Sequence, residues 1–191
     1  MNEQFQEVAA FHGHVCPGLA IGYRVGAYVK KHYASARDEE LVAVVENNSC
    51  SVDAIQYMLG CTFGKGNLVF KDYGKQVFTF YSREAGTALR IYFKGEILQG
   101  LQEPASQQIP GAGDQQIERR SRIRREVTGA ILQADDSELF EVTRPDIPEP
   151  ARALVRPSIR CELCGELFME TKGRIADGKV VCRPCFEDML R

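Results

Sequence analysis

Apolar positions along the chain follow two periods, and each predicts a different kind of element. Between residues 17 and 33, Leu19, Ile21, Tyr23, Val25, Ala27, Tyr28 and Val29 cover most sides of a helix that opens on Pro17 and closes on Lys30, Lys31 and His32. Proline suits a first helical position, and basic side chains suit the negative end of the helix dipole. A helix apolar nearly all round is a buried one. Gly18, Gly22 and Gly26 recur every fourth residue, a smooth ridge for another helix or a second subunit. Each glycine costs up to about 1 kcal/mol relative to alanine, so close packing is what offsets them. A shorter helix over residues 3–11 carries Phe5, Val8 and Ala9.

Leu41 to Val45 is a continuous apolar run, predicted as a buried strand. After it, Ser49 or Ser51 caps a helix with Val52, Ile55, Gln56 and Leu59 at helical spacing and Gly60 at its end. Residues 67–71, 76–81 and 88–93 read as strands, the first two joined by a tight turn at Asp72-Tyr73-Gly74-Lys75. Alternation of Phe78, Phe80, Ile91 and Phe93 supplies one buried sheet face. Residues 1–100 are therefore expected to form an α+β core domain, an antiparallel sheet packed with helices.

The Gln-, Pro- and Gly-rich stretch 99–114 marks a boundary or loop. A helix follows over 115–132, with Ile123, Val127, Ala130 and Ile131 on one stripe and Arg119, Arg120, Arg122, Arg124 and Arg125 making it locally basic. Glu118 and Glu126 favour a solvated, salt-bridged face over an anion-binding one. Leu139 to Thr143 reads as an edge strand, and Arg144-Pro145-Asp146-Ile147-Pro148-Glu149-Pro150 as an extended linker. Residues 101–155 are thus a helical extension and linker, and 156–191 a separate module.

The 191-residue chain has a formal net charge of −2, and its pI near 6.0 gives no global attraction to nucleic acid or anionic membranes. No apolar run reaches the roughly 18 residues of a spanning helix, and the N-terminus carries no charged-then-apolar signal. A cytoplasmic protein is expected. Seven cysteines, four of them in two Cys-x-x-Cys pairs near the end, suit a reducing compartment rather than a disulfide scaffold.

The first candidate site is Phe11-His12-Gly13-His14-Val15-Cys16-Pro17-Gly18. An extended run from 12 to 16 would put His12, His14 and Cys16 on one face. Cys16 falls at an N-cap, where the helix dipole and free amides favour the thiolate that binds metal or attacks carbon. Cys50 and Cys61 bracket a helix about 15 Å long, so one of them joins Cys16 and the other does not. His14, Cys16 and Cys61 as ligands, with a fourth position open, would hold zinc, iron or nickel. His12 would then be a further ligand or an acid/base, and Asp53 or Gln56 would orient a ligand or substrate. A metal-free version makes Cys16 the nucleophile and a histidine its base. Gly64-Lys65-Gly66 reads as a simple turn.

The second site is stronger. Cys161-x-x-Cys164 and Cys182-x-x-Cys185, seventeen residues apart, have the spacing of a tetrahedral Cys₄ zinc site, with Gly165 and Gly178 where turns are required. Four protein ligands leave no open position, so this zinc is structural. Five Lys plus Arg against six Asp plus Glu over residues 161–191 point to protein contact or a structural lid rather than nucleic acid.

The runs from Phe11 to Arg24 and from Cys50 to Gln56, with Gly60 to Leu68, closely resemble the E-subunit family of formylmethanofuran dehydrogenase. The tail from Pro148 through Cys185 resembles the zinc-ribbon or treble-clef module of that family's longer members, similar to DksA/TraR-type regulators. The resemblance carries His12, His14, Cys16, Cys50, Asp53, Gln56, Cys61 and Lys65 as shared polar positions. It implies a metal- or thiol-bearing domain, a redox-linked enzyme or accessory subunit, a homodimer, and a place in a larger enzyme complex. The contrasting expectation is a non-catalytic zinc-ribbon protein that docks onto a partner enzyme or nucleic acid.

Overall fold

The computed structural model describes residues 3–33, 40–98 and 114–191, with side chains of the last segment described from 118 onward. The chain divides into two compact units, Met1–Arg152 and Ala153–Arg191.

The first unit contains α1 (Glu3–His12), α2 (Pro17–His32), β1 (Leu41–Val45), α3 (Ser51–Leu59), β2 (Leu68–Phe70), β3 (Val77–Ser82), β4 (Thr87–Phe93), α4 (Asp114–Gln133), α5 (Asp136–Leu139) and β5 (Phe140–Thr143). It is an α+β fold in which one five-stranded sheet, in the order β2-β1-β3-β4-β5, packs against helices. Every strand pair is antiparallel except β1 with β2, which run parallel. The expected turn at 72–75 therefore does not join a hairpin. β1 lies between β2 and β3, because its apolar run needs a paired neighbour on both edges, whereas Val69 and Phe70 of β2 are partly exposed at the sheet edge. The helical face of the sheet is built by Ala43, Val45, Phe78, Phe80, Leu89, Ile91 and Phe93, packed with Phe5, Leu19, Val25 and Ile55. On the other face Val42, Tyr81 and Ala88 are covered by Ile147 from the extended segment after β5. Arg83 pairs with Glu149, and Arg152 with Glu40, so that segment is bound to the first unit along its length.

The glycine ridge of α2 serves a helix of the same chain. A Cβ on Gly18 would meet Cys50, one on Gly26 would meet Met58, and one on Gly22 would lie 2.1 Å from the carbonyl oxygen of Ser51. The N-terminal ends of α2 and α3 consequently converge. α4 closes the other side of α2 through Val127 and Ile131. There Arg24 donates to Ile131 O at 2.6 Å and to Asp136 Oδ1 at 2.7 Å, and Lys31 reaches Asp136 Oδ2 at 3.3 Å.

Burial works against the charge of Asp136, but hydrogen bonds from Arg24 and Lys31 outweigh it and hold its pKa below the usual carboxylate value. A depressed folded-state pKa contributes stability that is present above the unfolded value of about 4 and is lost as pH falls through the folded value. Asp136→Asn is expected to cost about 1–3 kcal/mol at neutral pH, because Arg24 is left largely buried without its counter-charge. It should also flatten the acid limb of stability below about pH 4. Urea unfolding of both proteins from pH 7 to pH 3 measures this, and parallel acid limbs would refute it.

The second unit carries β6 (Ser158–Arg160) paired with β7 (Leu167–Met169), β8 (Arg174–Ala176) paired with β9 (Lys179–Val181), and α6 (Arg183–Met189). Its core is small: Cys161, Val181 and Cys182 are buried, with Phe168, Ala176, Cys185 and Phe186 packed around them.

Candidate metal centres

His12 is the last residue of α1, so the chain through the first site is not extended. Gly13 turns it at φ 94°, a left-handed conformation that glycine adopts without strain. His12, His14 and Cys16 are thus gathered by a helix end and a turn rather than by strand alternation. Cys16 is the N-cap of α2, in extended conformation, and Pro17 is the first helical residue. The amide of Leu19 donates to Cys16 Sγ at 3.4 Å.

The structure brings Cys50, and not Cys61, to Cys16. One donor atom each from His12, His14, Cys16 and Cys50 lies within 4.8 Å of every other. Cys61 sits at the far end of α3, fully buried, with its thiol directed at Leu41 O, 3.5 Å away. Burial pushes its pKa up to about 12, and Lys65 lowers it only in part. Cys61 is a core thiol because the N-termini of two helices converge and carry Cys50, from the opposite end of α3, to Cys16; the Gly18 contact allows that approach. Two helices each starting beside a cysteine, one with a glycine ridge, are the signal in the sequence for that pairing.

Around these four residues the supporting bonds are specific. His12 Nδ1 and Asp53 Oδ2 are 2.7 Å apart, and Gln56 Nε2 donates to Asp53 Oδ1 at 3.4 Å. This fixes the imidazole so that Nε2 faces Cys16 Sγ, 3.8 Å away. Cys50 precedes α3 with helical dihedrals. The hydroxyls of Ser49 and Ser51 cap nothing; they converge instead on buried Asn47, at 2.8 and 3.2 Å, and on Gln76. Asn47 Nδ2 in turn donates to Lys75 O at 2.9 Å, which ties the loop holding Cys50 to the chain leading into β3. Without a cation, burial raises the pKa of Cys16 despite the amides of Leu19 and Gly18, and Cys50 raises it further. The N-cap alone therefore does not make Cys16 a thiolate. Two thiols and two imidazoles that converge, one imidazole already oriented by a carboxylate, are a donor set for a transition metal, which lowers thiol pKa on binding. Asp53→Asn leaves the four donors in place but weakens the orienting bond, and is expected to lower metal affinity by about 10- to 100-fold. Competition titration with a chromophoric chelator measures it; unchanged affinity would assign Asp53 no part in the site.

Of the remaining candidates, Lys65 donates to Gly60 O, the left-handed C-cap of α3, and shapes the turn that follows. Arg122 and Glu126 form an ion pair along α4, and the other described arginines of that helix are exposed.

The second site gathers Cys161, Cys164, Cys182 and Cys185 within 4.8 Å of one another. Cys164 Sγ and Cys182 Sγ are 3.8 Å apart, and the amide of Cys182 donates to Cys161 Sγ at 3.3 Å. That amide, with those of Cys164 and Leu163, holds the Cys161 pKa down at about 6. Cys185, surrounded by the other sulfurs, is pushed up to about 12. Four convergent sulfurs, one of them already accepting the Cys182 amide, are the donor set of a closed four-thiolate site.

Fold and sites together define a metal-binding α+β domain followed by a Cys₄ finger. Residues 11–141 match the family model described as FmdE, Molybdenum formylmethanofuran dehydrogenase operon, and the chain belongs to that family. Residues 155–189 match the prokaryotic DksA/TraR C4-type zinc finger. A curated relative from Archaeoglobus fulgidus, named a probable S-adenosyl-L-methionine-binding protein, is 29% identical; the match covers 92% of this chain and 50% of the relative, so the chain spans about half its length. An FmdE-like protein of the tungsten formylmethanofuran dehydrogenase type, from Syntrophus aciditrophicus, shares the fold, with a TM-score of 0.65 and 21% identity over 97% of this chain and 91% of that one. Among the described residues no helix is long and apolar enough to cross a membrane.

Proposed function

We propose that the chain is a transition-metal protein of the FmdE family, acting as a redox-linked enzyme or accessory subunit through its first site, while zinc at the second site holds the C-terminal module together. The observation that carries this reading is the convergence of His12, His14, Cys16 and Cys50 within 4.8 Å. Their softness suits zinc, iron or nickel rather than magnesium or calcium. Such a cation, when bound, supplies Lewis acidity or, if iron or nickel, an electron. The protein's own contribution is positioning. Asp53 and Gln56 fix the His12 ring, the Asn47 network fixes Cys50, and the start of α2 fixes Cys16. Working as a homodimer and within a larger enzyme complex belongs to the same proposal, on the strength of the family.

Total metal on protein purified without a metal-binding tag tests it. Wild type should carry about two metal ions per chain, and Cys16→Ala and Cys50→Ala about one each, with the fold retained. Cys61→Ala should keep about two, since its thiol faces Leu41 O rather than the cluster. A wild-type content of about one ion, indifferent to Cys16 and Cys50, would sink the reading.

A second reading draws on the archaeal relative's name and the extent of that match: the chain binds S-adenosyl-L-methionine. Isothermal titration of the metal-loaded protein with that compound decides it, and a titration without heat at near-millimolar ligand removes it.

A further inference from the structure

The four residues of the first site are not held equally. Cys16 is 6% exposed and receives the amide of Leu19. His12 is locked by Asp53 at 2.7 Å. Cys50 is flanked by two serines that are bonded to buried Asn47. His14 has none of this. It is exposed, follows a left-handed glycine, and among the described residues makes no hydrogen bond. Its contact is the face of the His12 ring, centroid to centroid 4.4 Å at 39°.

A metal ligand is ordinarily oriented by a partner on its second nitrogen, and loss of that partner weakens its hold. Three anchored donors and one unanchored donor on the solvent side are therefore a three-ligand site with a removable cover. We propose that His14 is the displaceable ligand of the first site: its imidazole closes the coordination shell at rest and gives way to an incoming small-molecule donor. His12, Cys16 and Cys50 keep the ion throughout. Because the two thiolates already neutralise a dication, the fitting donor is a small, uncharged nitrogen or sulfur ligand. The structure thus reconciles a four-residue cluster, which would be closed, with chemistry that requires an open position. Displacement moves His14 on the hinge at Gly13 and disturbs no buried group.

The inference rests on the metal reading proposed above, and its test separates the two. The full-length chain is loaded with cobalt(II), and the visible spectrum of Cys16→Ala, loaded in the same way, is subtracted to isolate the first site. His14→Ala should still hold about two ions per chain, whereas His12→Ala should lose the first-site ion. Thiourea, an uncharged sulfur donor used as the probe, should shift the ligand-field bands of the wild type as it replaces the His14 nitrogen, whereas imidazole in His14→Ala should restore a spectrum close to that of the unliganded wild type. Loss of the first-site ion in His14→Ala overturns the inference while leaving the metal reading intact, as does a wild-type spectrum indifferent to thiourea. A wild type that never binds the first-site ion overturns both.

Discussion

Stripping the metal from Cys161, Cys164, Cys182 and Cys185 with a strong chelator is expected to unfold residues 153–191 while the first unit stays folded. The module has two hairpins of three residues per strand and a single seven-residue helix. Isolated hairpins of that size are marginal in water, and a domain below about 40 residues has too little core to fold alone. Three buried side chains, two of them cysteines, are all the core it has. Leu163, Leu167 and Ile175 remain exposed rather than adding to it. The bound metal therefore supplies the folding energy, on the order of 10 kcal/mol for sites of this kind. Cys161→Ser should act as the chelator does, because the Cys161 sulfur also accepts the amide of Cys182 and links the two halves of the site. Hydrogen exchange read by mass spectrometry gives the outcome. Residues 158–181 should lose protection on metal removal and the sheet of the first unit should retain it. Protection that persists in the metal-free module would refute the argument.

Gly22→Ala carries the second large effect. The added methyl would lie 2.1 Å from Ser51 O and 2.7 Å from Ser51 C and Cα, so backbone, not a pliable side chain, stands in its way. α2 and α3 must separate, at a cost of about 3 kcal/mol or more, the upper range for overpacking. The same separation displaces the residue after Cys50 and pulls the two helix starts apart. Lower stability and weaker first-site metal binding should therefore appear together in one variant. Denaturant midpoints and chelator competition measure the two. Gly129→Ala serves as the control, because a methyl there meets nothing within 4 Å. A Gly22→Ala protein as stable as wild type would mean that the helices do not approach so closely.

These two variants also show what the sequence could and could not tell. α2, β1, α3, β3 and β4 were legible because each has a clear apolar period, and their observed limits lie within a residue or so of the expected ones. Gly22 was legible as a packing surface, and α3 of the same chain is what it receives. β2 was legible as a strand, but its partner was not. Pairing depends on which strand needs two neighbours, and apolar alternation does not encode this. The Cys₄ cluster could be read from spacing alone, since two knuckles of fixed length leave few geometries. The first site could not be completed in that way. Cys50 and Cys61 have equal chemistry and lie at opposite ends of one helix; the direction in which α3 docks on α2 decides between them. The expected thiolate at Cys16 rested on the helix N-terminus, and burial, a property of the fold, outweighs that effect.

Cys61, left out of the cluster, has a use of its own. Its sulfur is fully buried beneath α3 and β1, and its pKa near 12 leaves almost no reactive anion at neutral pH. An alkylating reagent reaches it only in molecules whose first unit has opened. With the first-site and finger thiols held by metal, modification of Cys61 would mark opened molecules, and where reclosing outpaces alkylation its rate would report the opening equilibrium without denaturant.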